Sequence, residues 1–217
     1  MTSEMPTDNR LEFPQRVVSG RIIGVLPDVP ADDLVAPLEV MVQERIRAFS
    51  LPVSDAERRR RVVEVFGHRA CFGVHGVVRV EDVAQLVEQK VAFVLATGAD
   101  DAVVGALRAA GIPCAVDALT PTEVRAVWAR GVDAVEVAPA DMGPAAYGVT
   151  LAELAPGARM IPRGGIGSYS LRRWLEAGAV AVCVDEVLVG DAAEGGAMPA
   201  LRERCRSVRA AVDDVDA

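Results

Sequence analysis

The stretch TPTEVRAVWARGVDAVEVAPA, residues 120–140, contains a helical pattern followed by a short apolar run. Thr120 and Glu123 have the spacing of a capping box, and Pro121 stands at the first helical position, so these residues predict a helix N-terminus. The apolar run at residues 134–137 is typical of a buried strand. The stretch therefore predicts one helix leading into one strand, the repeating unit of an α/β fold.

The same alternation runs through the whole chain. Eight short runs rich in Val, Ile and Ala alternate with helical patterns, as in parallel strands buried on both faces, at residues 21–26, 46–51, 70–74, 92–96, 113–116, 134–137, 158–161 and 180–184. Eight such units predict a single (β/α)8 TIM barrel over residues 21–217. Residues 1–20 form a lead-in segment, whose short helix would close the barrel floor. A doubly wound open sheet is the alternative fold.

Charge and hydropathy exclude several classes of protein. The net charge of −8 and the pI near 4.9 argue against a nucleic-acid or membrane partner. No apolar run is long enough to span a membrane, and the polar N-terminus does not resemble a signal peptide. We therefore expect a cytoplasmic protein.

Two composition features have plain structural interpretations. The four consecutive arginines at residues 58–61 open a helical pattern, and we expect them on a solvated helix face; a local anion contact is the alternative. The four cysteines show no CxxC spacing, so we expect free buried thiols at Cys71, Cys114, Cys183 and Cys205.

Titratable and hydroxyl side chains gather where the predicted strands end, which is the catalytic face of a TIM barrel. They are Ser50, His75, Thr97, Asp117, Glu136, Arg163, Asp185 and Glu186. We expect the catalytic and substrate-binding groups among them, acting on a small anionic molecule.

Glu136 is the most informative of these residues. Strand alternation turns Glu136 toward the barrel lumen and Val135 toward the helices. A carboxylate in a lumen is costly unless it is paired or functional. It is either half of an ion pair with Arg163 or a general base or substrate-binding acid. His75 is either a general acid or base, or a hydrogen-bonded structural histidine.

The stretch IPRGGIGS at residues 161–168 is a candidate anion corner, because glycine amides and a helix start can approach an anion. It contributes Gly164, Gly165 and Ser168. The acids Asp185 and Glu186 would repel a phosphate there, so a carboxylate held by Arg163 is favoured. The acidic rim also suits a divalent metal chemically, but no ligand spacing supports one. We therefore predict neither a metal nor another cofactor.

Three segments resemble one family in order and spacing. Residues 120–123 resemble its TPSE-type segment, residues 131–140 its GxDxxKxFPA segment, and residues 162–166 its PTGGI segment. The chain thus resembles, over about residues 20–190, the 2-keto-3-deoxy-6-phosphogluconate (KDPG) and 4-hydroxy-2-oxoglutarate aldolases. The resemblance implies a homotrimeric TIM barrel whose lysine forms a Schiff base with an α-keto acid.

The functional positions of that family are changed in this chain. The resemblance places the family's lysine at Glu136 and other functional positions at Ser50, Arg163, Asp185 and Glu186. The chain has one lysine, Lys90, which we expect at a helix end on the opposite face of the barrel. Since Schiff-base chemistry needs an amine in the pocket, class I aldolase chemistry is not expected.

Two functions remain open. In the first, the protein is a repurposed lyase-, isomerase- or cyclase-type enzyme in which Glu136 is the base, Arg163 binds a carboxylate or stabilises an enolate, and His75 donates a proton. In the second, it is an inactive aldolase homologue that binds a ligand or partner. The number of titratable groups at strand ends favours the enzyme.

Overall fold

A computed structural model describes residues 9–144 and 146–217. Eight parallel strands form one sheet in the order β7-β6-β5-β4-β3-β2-β1-β8. Their bounds are Ile22–Val25 (β1), Ala48–Pro52 (β2), Cys71–Gly76 (β3), Val94–Ala96 (β4), Cys114–Ala118 (β5), Ala134–Val137 (β6), Met160–Pro162 (β7) and Val182–Val184 (β8). All eight predicted strands are present, and the open-sheet alternative is wrong.

The barrel closes between β7 and β8. Neighbouring strands elsewhere pair in regular parallel register, for example Gly24 opposite Phe49 and Val184. At the seam the Val180 amide donates to the Met160 carbonyl at 2.9 Å. Closure brings the carboxyl ends of all eight strands around one mouth.

Every helix except the first lies around the barrel and buries apolar side chains in the outer core. The helices are Gln15–Gly20 (α1), Ala31–Gln43 (α2), Ala56–Phe66 (α3), Val83–Glu88 (α4), Asp101–Ala109 (α5), Pro121–Ala129 (α6), Tyr147–Leu154 (α7), Ser168–Glu176 (α8), Glu186–Val189 (α9) and Met198–Asp216 (α10). The capping box predicted at Thr120 and Glu123 is formed, and Thr120 caps α6. In the described parts of the chain, no helix is long and apolar enough to cross a membrane.

The amino-terminal end of the lumen is filled by α1 and the residues before it. Phe13 and Val17 are buried in the same apolar cluster as the lumen side chains. The Phe13 and Phe93 rings lie 5.9 Å apart between centroids. Residues 1–8 of the predicted lead-in segment lie outside the described residues.

The arginine run differs from expectation. Arg59 is 2% exposed; its guanidinium donates to the Pro52 and Val53 carbonyls and to Gln89. These acceptors replace the water that the guanidinium loses on burial. Because two of them lie at the end of β2, Arg59 links α3 to that strand. A solvated face was therefore the wrong prediction for Arg59 and also for Arg58, whose side chain is 10% exposed and pairs with Asp28 and Asp55. Arg60, in contrast, is exposed and pairs with acids of its own helix.

The cysteines are free thiols in the structure. Cys114, Cys183 and Cys205 are buried, as predicted, whereas Cys71 is half-buried. Burial raises the pKa of the Cys71 thiol to about 11, so it remains protonated at neutral pH.

Candidate active site

Two layers of side chains fill the upper lumen. The lower layer is apolar and contains Ala48, Leu95, Ala115, Ala134, Ile161 and Cys183. Two residues further along the same strands come the polar side chains Ser50, Thr97, Asp117, Glu136, Arg163 and Asp185. Because strand side chains alternate with a period of two, this second set stacks on the first at the carboxyl end. On β3 the equivalent residue is His75, which lies inside the strand rather than after it.

Glu136 and Arg163 form an ion pair in this layer. Arg163 Nη1 lies 3.3 Å from Glu136 Oε1, with Glu136 1% exposed and the Arg163 side chain 25% exposed. Burial raises the pKa of Glu136, although Arg163 opposes that shift. The Arg163 backbone is fixed on both sides, since its amide donates to Val137 and its carbonyl accepts from Ala140.

Asp117 lies beside Glu136. The two residues are register partners on β5 and β6, and the Asp117 charge adds to the rise in the pKa of Glu136. Asp117 Oδ1 accepts a hydrogen bond from the Gly98 amide at 2.6 Å. Asp117 thus anchors the loop after β4, which also carries Thr97.

His75 and Ser50 form a second pair on the other side of the mouth. His75 Nδ1 lies 3.1 Å from Ser50 Oγ, and Ser50 is completely buried. Burial, with a smaller effect of the Arg163 charge, lowers the pKa of His75 to about 4. His75 is therefore neutral at physiological pH and does not titrate near neutrality as the sequence suggested.

Arg163 stands between two cavities. The larger, of about 910 Å³, is lined by His75, Arg163, Asp185 and Glu186, among others. The smaller, of about 270 Å³, is lined by Thr97, Asp117, Glu136, Arg163 and Gly164, together with Ala138 and Pro139. The structure thus assembles most of the predicted site, but Glu136 and His75 open to different cavities.

An acid that the sequence did not single out packs against the glycine-rich corner, although Gly164 of this corner lines the smaller cavity. The Asp141 carboxylate packs against Gly165, at 2.6 Å from where a Cβ would lie, and Gly165 has a positive φ of 62°. Asp141 follows β6 in a 3-10 turn; its signal was a polar residue in a βα loop. Neither Gly165 nor Ser168, the first residue of α8, lines the two cavities at the mouth.

Further charged side chains around the larger cavity were also missed. Asp28, Arg79, Asp82 and Glu194 line its outer wall. They come from loops and short helices beyond the strand ends, where the sequence carries no periodicity. Acids therefore predominate over bases around this cavity. Within residues 9–144 and 146–217, no three His, Cys, Asp or Glu side chains are grouped so as to hold a metal ion.

Comparison with known proteins identifies the family. The family model for KDPG and KHG aldolases matches residues 14–196. The chain belongs to the KDPG and KHG aldolase family. No curated protein matches the chain with significant similarity.

Solved structures show the same fold. The KDPG aldolase of Zymomonas mobilis superposes with a TM-score of 0.76 at 17% identity, covering 90% of this chain and 93% of that one. The KDPG aldolase of Legionella pneumophila, captured with pyruvate as a covalent carbinolamine, gives 0.74 at 15% identity over 89% and 96%. Thiamine phosphate pyrophosphorylase from Pyrococcus furiosus gives 0.69 at 14% over 93% and 99%. At these identities the likeness is one of fold.

This member of the aldolase family has its single lysine far from the mouth. Lys90 is exposed and follows α4, with a left-handed φ of 53°. It precedes β4, so it lies at the amino-terminal end of the barrel, as the sequence predicted. The lumen position on β6 is filled by Glu136.

Proposed function

We propose that this chain is a lyase-, isomerase- or cyclase-type enzyme that moves a proton next to the carbonyl of a small carboxylate or 2-oxo acid, without a Schiff base. The observation that carries the proposal is Glu136, a fully buried carboxylate in the lumen layer whose pKa is raised by burial. A carboxylate with a raised pKa is a stronger general base than an ordinary glutamate.

Arg163 is proposed to bind the substrate carboxylate or to stabilise an enolate. The Arg163 side chain is partly exposed, and Arg163 lines both cavities. A small acid bound to its guanidinium would therefore lie close to the cavity of Glu136 and to the cavity of His75. Arginine matches a carboxylate with two parallel hydrogen bonds. The long 3.3 Å contact with Glu136 leaves guanidinium donors for such a ligand.

The charge distribution supports an unphosphorylated substrate. Asp141 packs against the glycine-rich turn, and Asp185 and Glu186 line the larger cavity nearby. Three carboxylates at this corner oppose a phosphate dianion. From the family resemblance we also propose a homotrimer, whose mass light scattering would report, and from the acidic charge we propose no nucleic-acid partner.

Proton abstraction is measurable without knowing the pathway. The purified protein is incubated in D2O with pyruvate and a panel of other 2-oxo acids, and loss of the protons next to the carbonyl is followed by NMR. We expect exchange above the buffer rate, reduced by about 10²- to 10⁴-fold in Glu136→Gln. The control Glu153→Gln changes an exposed carboxylate and should exchange like the parent protein.

Three results would contradict the proposal. Exchange that survives Glu136→Gln would make Glu136 half of a structural ion pair and not the base, and a parent protein with no exchange above the buffer rate would instead favour an inactive, ligand-binding homologue. A covalent adduct after borohydride treatment with pyruvate would show that an amine of the protein forms a Schiff base, and it would overturn the exclusion of that chemistry.

A further inference from the structure

Ser50 is buried beneath the mouth of the barrel, where a substrate cannot touch it. Its side chain is completely enclosed, and it lines neither cavity at the mouth. It faces His75, which does line the larger cavity. Any influence of Ser50 on a ligand therefore passes through the imidazole.

The hydrogen-bonding needs of Ser50 fix the direction of this contact. A hydroxyl has one donor, and among the described residues the Ser50 hydroxyl has a single side-chain partner, Nδ1 of His75 at 3.1 Å. If Nδ1 carried the proton, the buried Ser50 hydroxyl would be left without an acceptor, which is costly. The Ser50 backbone carbonyl also acts on the imidazole, but more weakly than burial or Arg163, and it already accepts a hydrogen bond from the Leu26 amide. Donation from the Ser50 hydroxyl to Nδ1 satisfies both of these side chains, and it leaves the imidazole proton on Nε2.

The protonated Nε2 then belongs to a side chain that lines the same cavity as Arg163. His75 and Arg163 both line it, and in the described part of the chain no acceptor is bonded to Nε2. The charge of Arg163 also lowers the pKa of His75, in keeping with two side chains on the wall of one cavity. Two donors that converge on a cavity form an oxyanion site when a ligand places negative charge between them.

We propose that Ser50 is a positioning residue, whose hydroxyl holds His75 as the neutral Nε2–H tautomer, so that Nε2–H and the Arg163 guanidinium together bind a developing enolate oxygen. His75 thus acts as a hydrogen-bond donor rather than as a charged acid, a role that neutral imidazoles fill elsewhere. The enolate role rests on the proposed function, whereas the tautomer does not.

Imidazole NMR tests the tautomer directly. The chain has two histidines, and exposed His68 serves as the reference in protein labelled with ¹⁵N-histidine. At pH 7 the two-bond ¹H–¹⁵N pattern of His75 should be that of the Nε2–H form. In Ser50→Ala the ratio of Nε2–H to Nδ1–H should fall by roughly fivefold, the effect of one ordinary hydrogen bond.

Control variants separate positioning from packing. Ser50→Thr keeps the hydroxyl and should keep the parent tautomer, while circular dichroism checks that each variant is folded. An Nδ1–H form in the parent protein would overturn the proposal before any variant is made. An unchanged ratio in folded Ser50→Ala would overturn it as well.

Oxalate, an enolpyruvate-like dianion, tests the oxyanion role separately. Titration should shift the His75 Nε2 resonance in the parent protein and should leave it unchanged in Arg163→Gln. No shift at saturating oxalate would overturn the oxyanion role. These readouts do not depend on turnover, so a failed exchange assay would leave the Ser50–His75 assignment intact, and the reverse also holds.

Discussion

Burial acts on Glu136 and His75, two of the titratable side chains at the mouth, by disfavouring the charged form of each. It raises the pKa of Glu136 and lowers that of His75 to about 4. Desolvation moves the two pKa values in opposite directions because burial withholds hydration from the charged form, which is the deprotonated form of a carboxyl group and the protonated form of an imidazole. The proposed chemistry by a basic carboxylate and a neutral imidazole rests on these two shifts.

The low pKa of His75 predicts a pH-dependent stability. The unfolded chain binds a proton on this residue below about 6.5, while the folded protein does so only near 4. Stability is therefore full above pH 6.5 and falls as the pH drops toward 4, by on the order of 2 to 3 kcal/mol. The free energy of unfolding, measured with urea between pH 7 and 4, should depend less steeply on pH in His75→Gln than in the parent protein.

Glu136 affects the pH dependence of stability in the opposite direction, so the effect of His75 must be measured as the difference between a His75 variant and a control variant. Its raised pKa means that the folded state holds a proton longer than the unfolded state, and stability from this group declines as pH rises through that pKa. His68→Gln, at an exposed position, is the matched control for His75→Gln. A parent-like slope in His75→Gln would show that His75 titrates normally.

At the scale of elements, α3 is attached to the barrel by one buried cation. Arg59 binds two carbonyls at the end of β2 and the Gln89 side chain after α4, and burial lowers its pKa. Removing it leaves these partly buried acceptors without the guanidinium as a partner. Three contacts from one guanidinium thus set where α3 meets the mouth.

Arg59→Ala should lower the free energy of unfolding by about 2 to 4 kcal/mol. The neighbouring Arg60→Ala should cost less than about 1 kcal/mol, although Arg60 contacts Glu57 and Glu64 more closely, because exposed ion pairs contribute little. Urea denaturation of both variants checks the contrast. Equal losses would show that α3 is held by its apolar stripe instead.

At the scale of the whole molecule, the lumen is closed at the amino-terminal ends of the strands and open at their carboxyl ends. Phe13 and Val17 complete the apolar cluster at the amino-terminal end, while the polar layer faces the mouth. We expect Phe13→Ala to cost about 3 to 4 kcal/mol, because a buried ring leaves a cavity. Val18→Ala, at a residue 38% exposed, should cost far less by thermal or urea unfolding. A small loss at Phe13 would mean that the segment before α1 adds little to the core.

The strands and the polar layer were accessible from sequence because both follow local periodicity. Every predicted strand is present, and Glu136 points into the lumen as alternation required. The strand boundaries differ from the predicted ones where backbone pairing continues beyond the apolar run. One example is β3, which continues to Gly76 and therefore includes His75. Most of the candidate side chains share the lumen face because residues two apart on a strand point the same way, whereas Gly165 and Ser168 line neither cavity at the mouth.

The sequence by itself determined the eight-strand barrel, the exclusion of an amine at the lumen position, and the set of polar side chains at its mouth. Tertiary structure alone decided that Arg59 is buried, that Asp141 packs against the glycine-rich turn, and that Arg163 separates the Glu136 and His75 cavities. The physical reason is that a strand pattern fixes which face a side chain takes. Its partners depend instead on barrel closure and register, which join residues far apart in the chain.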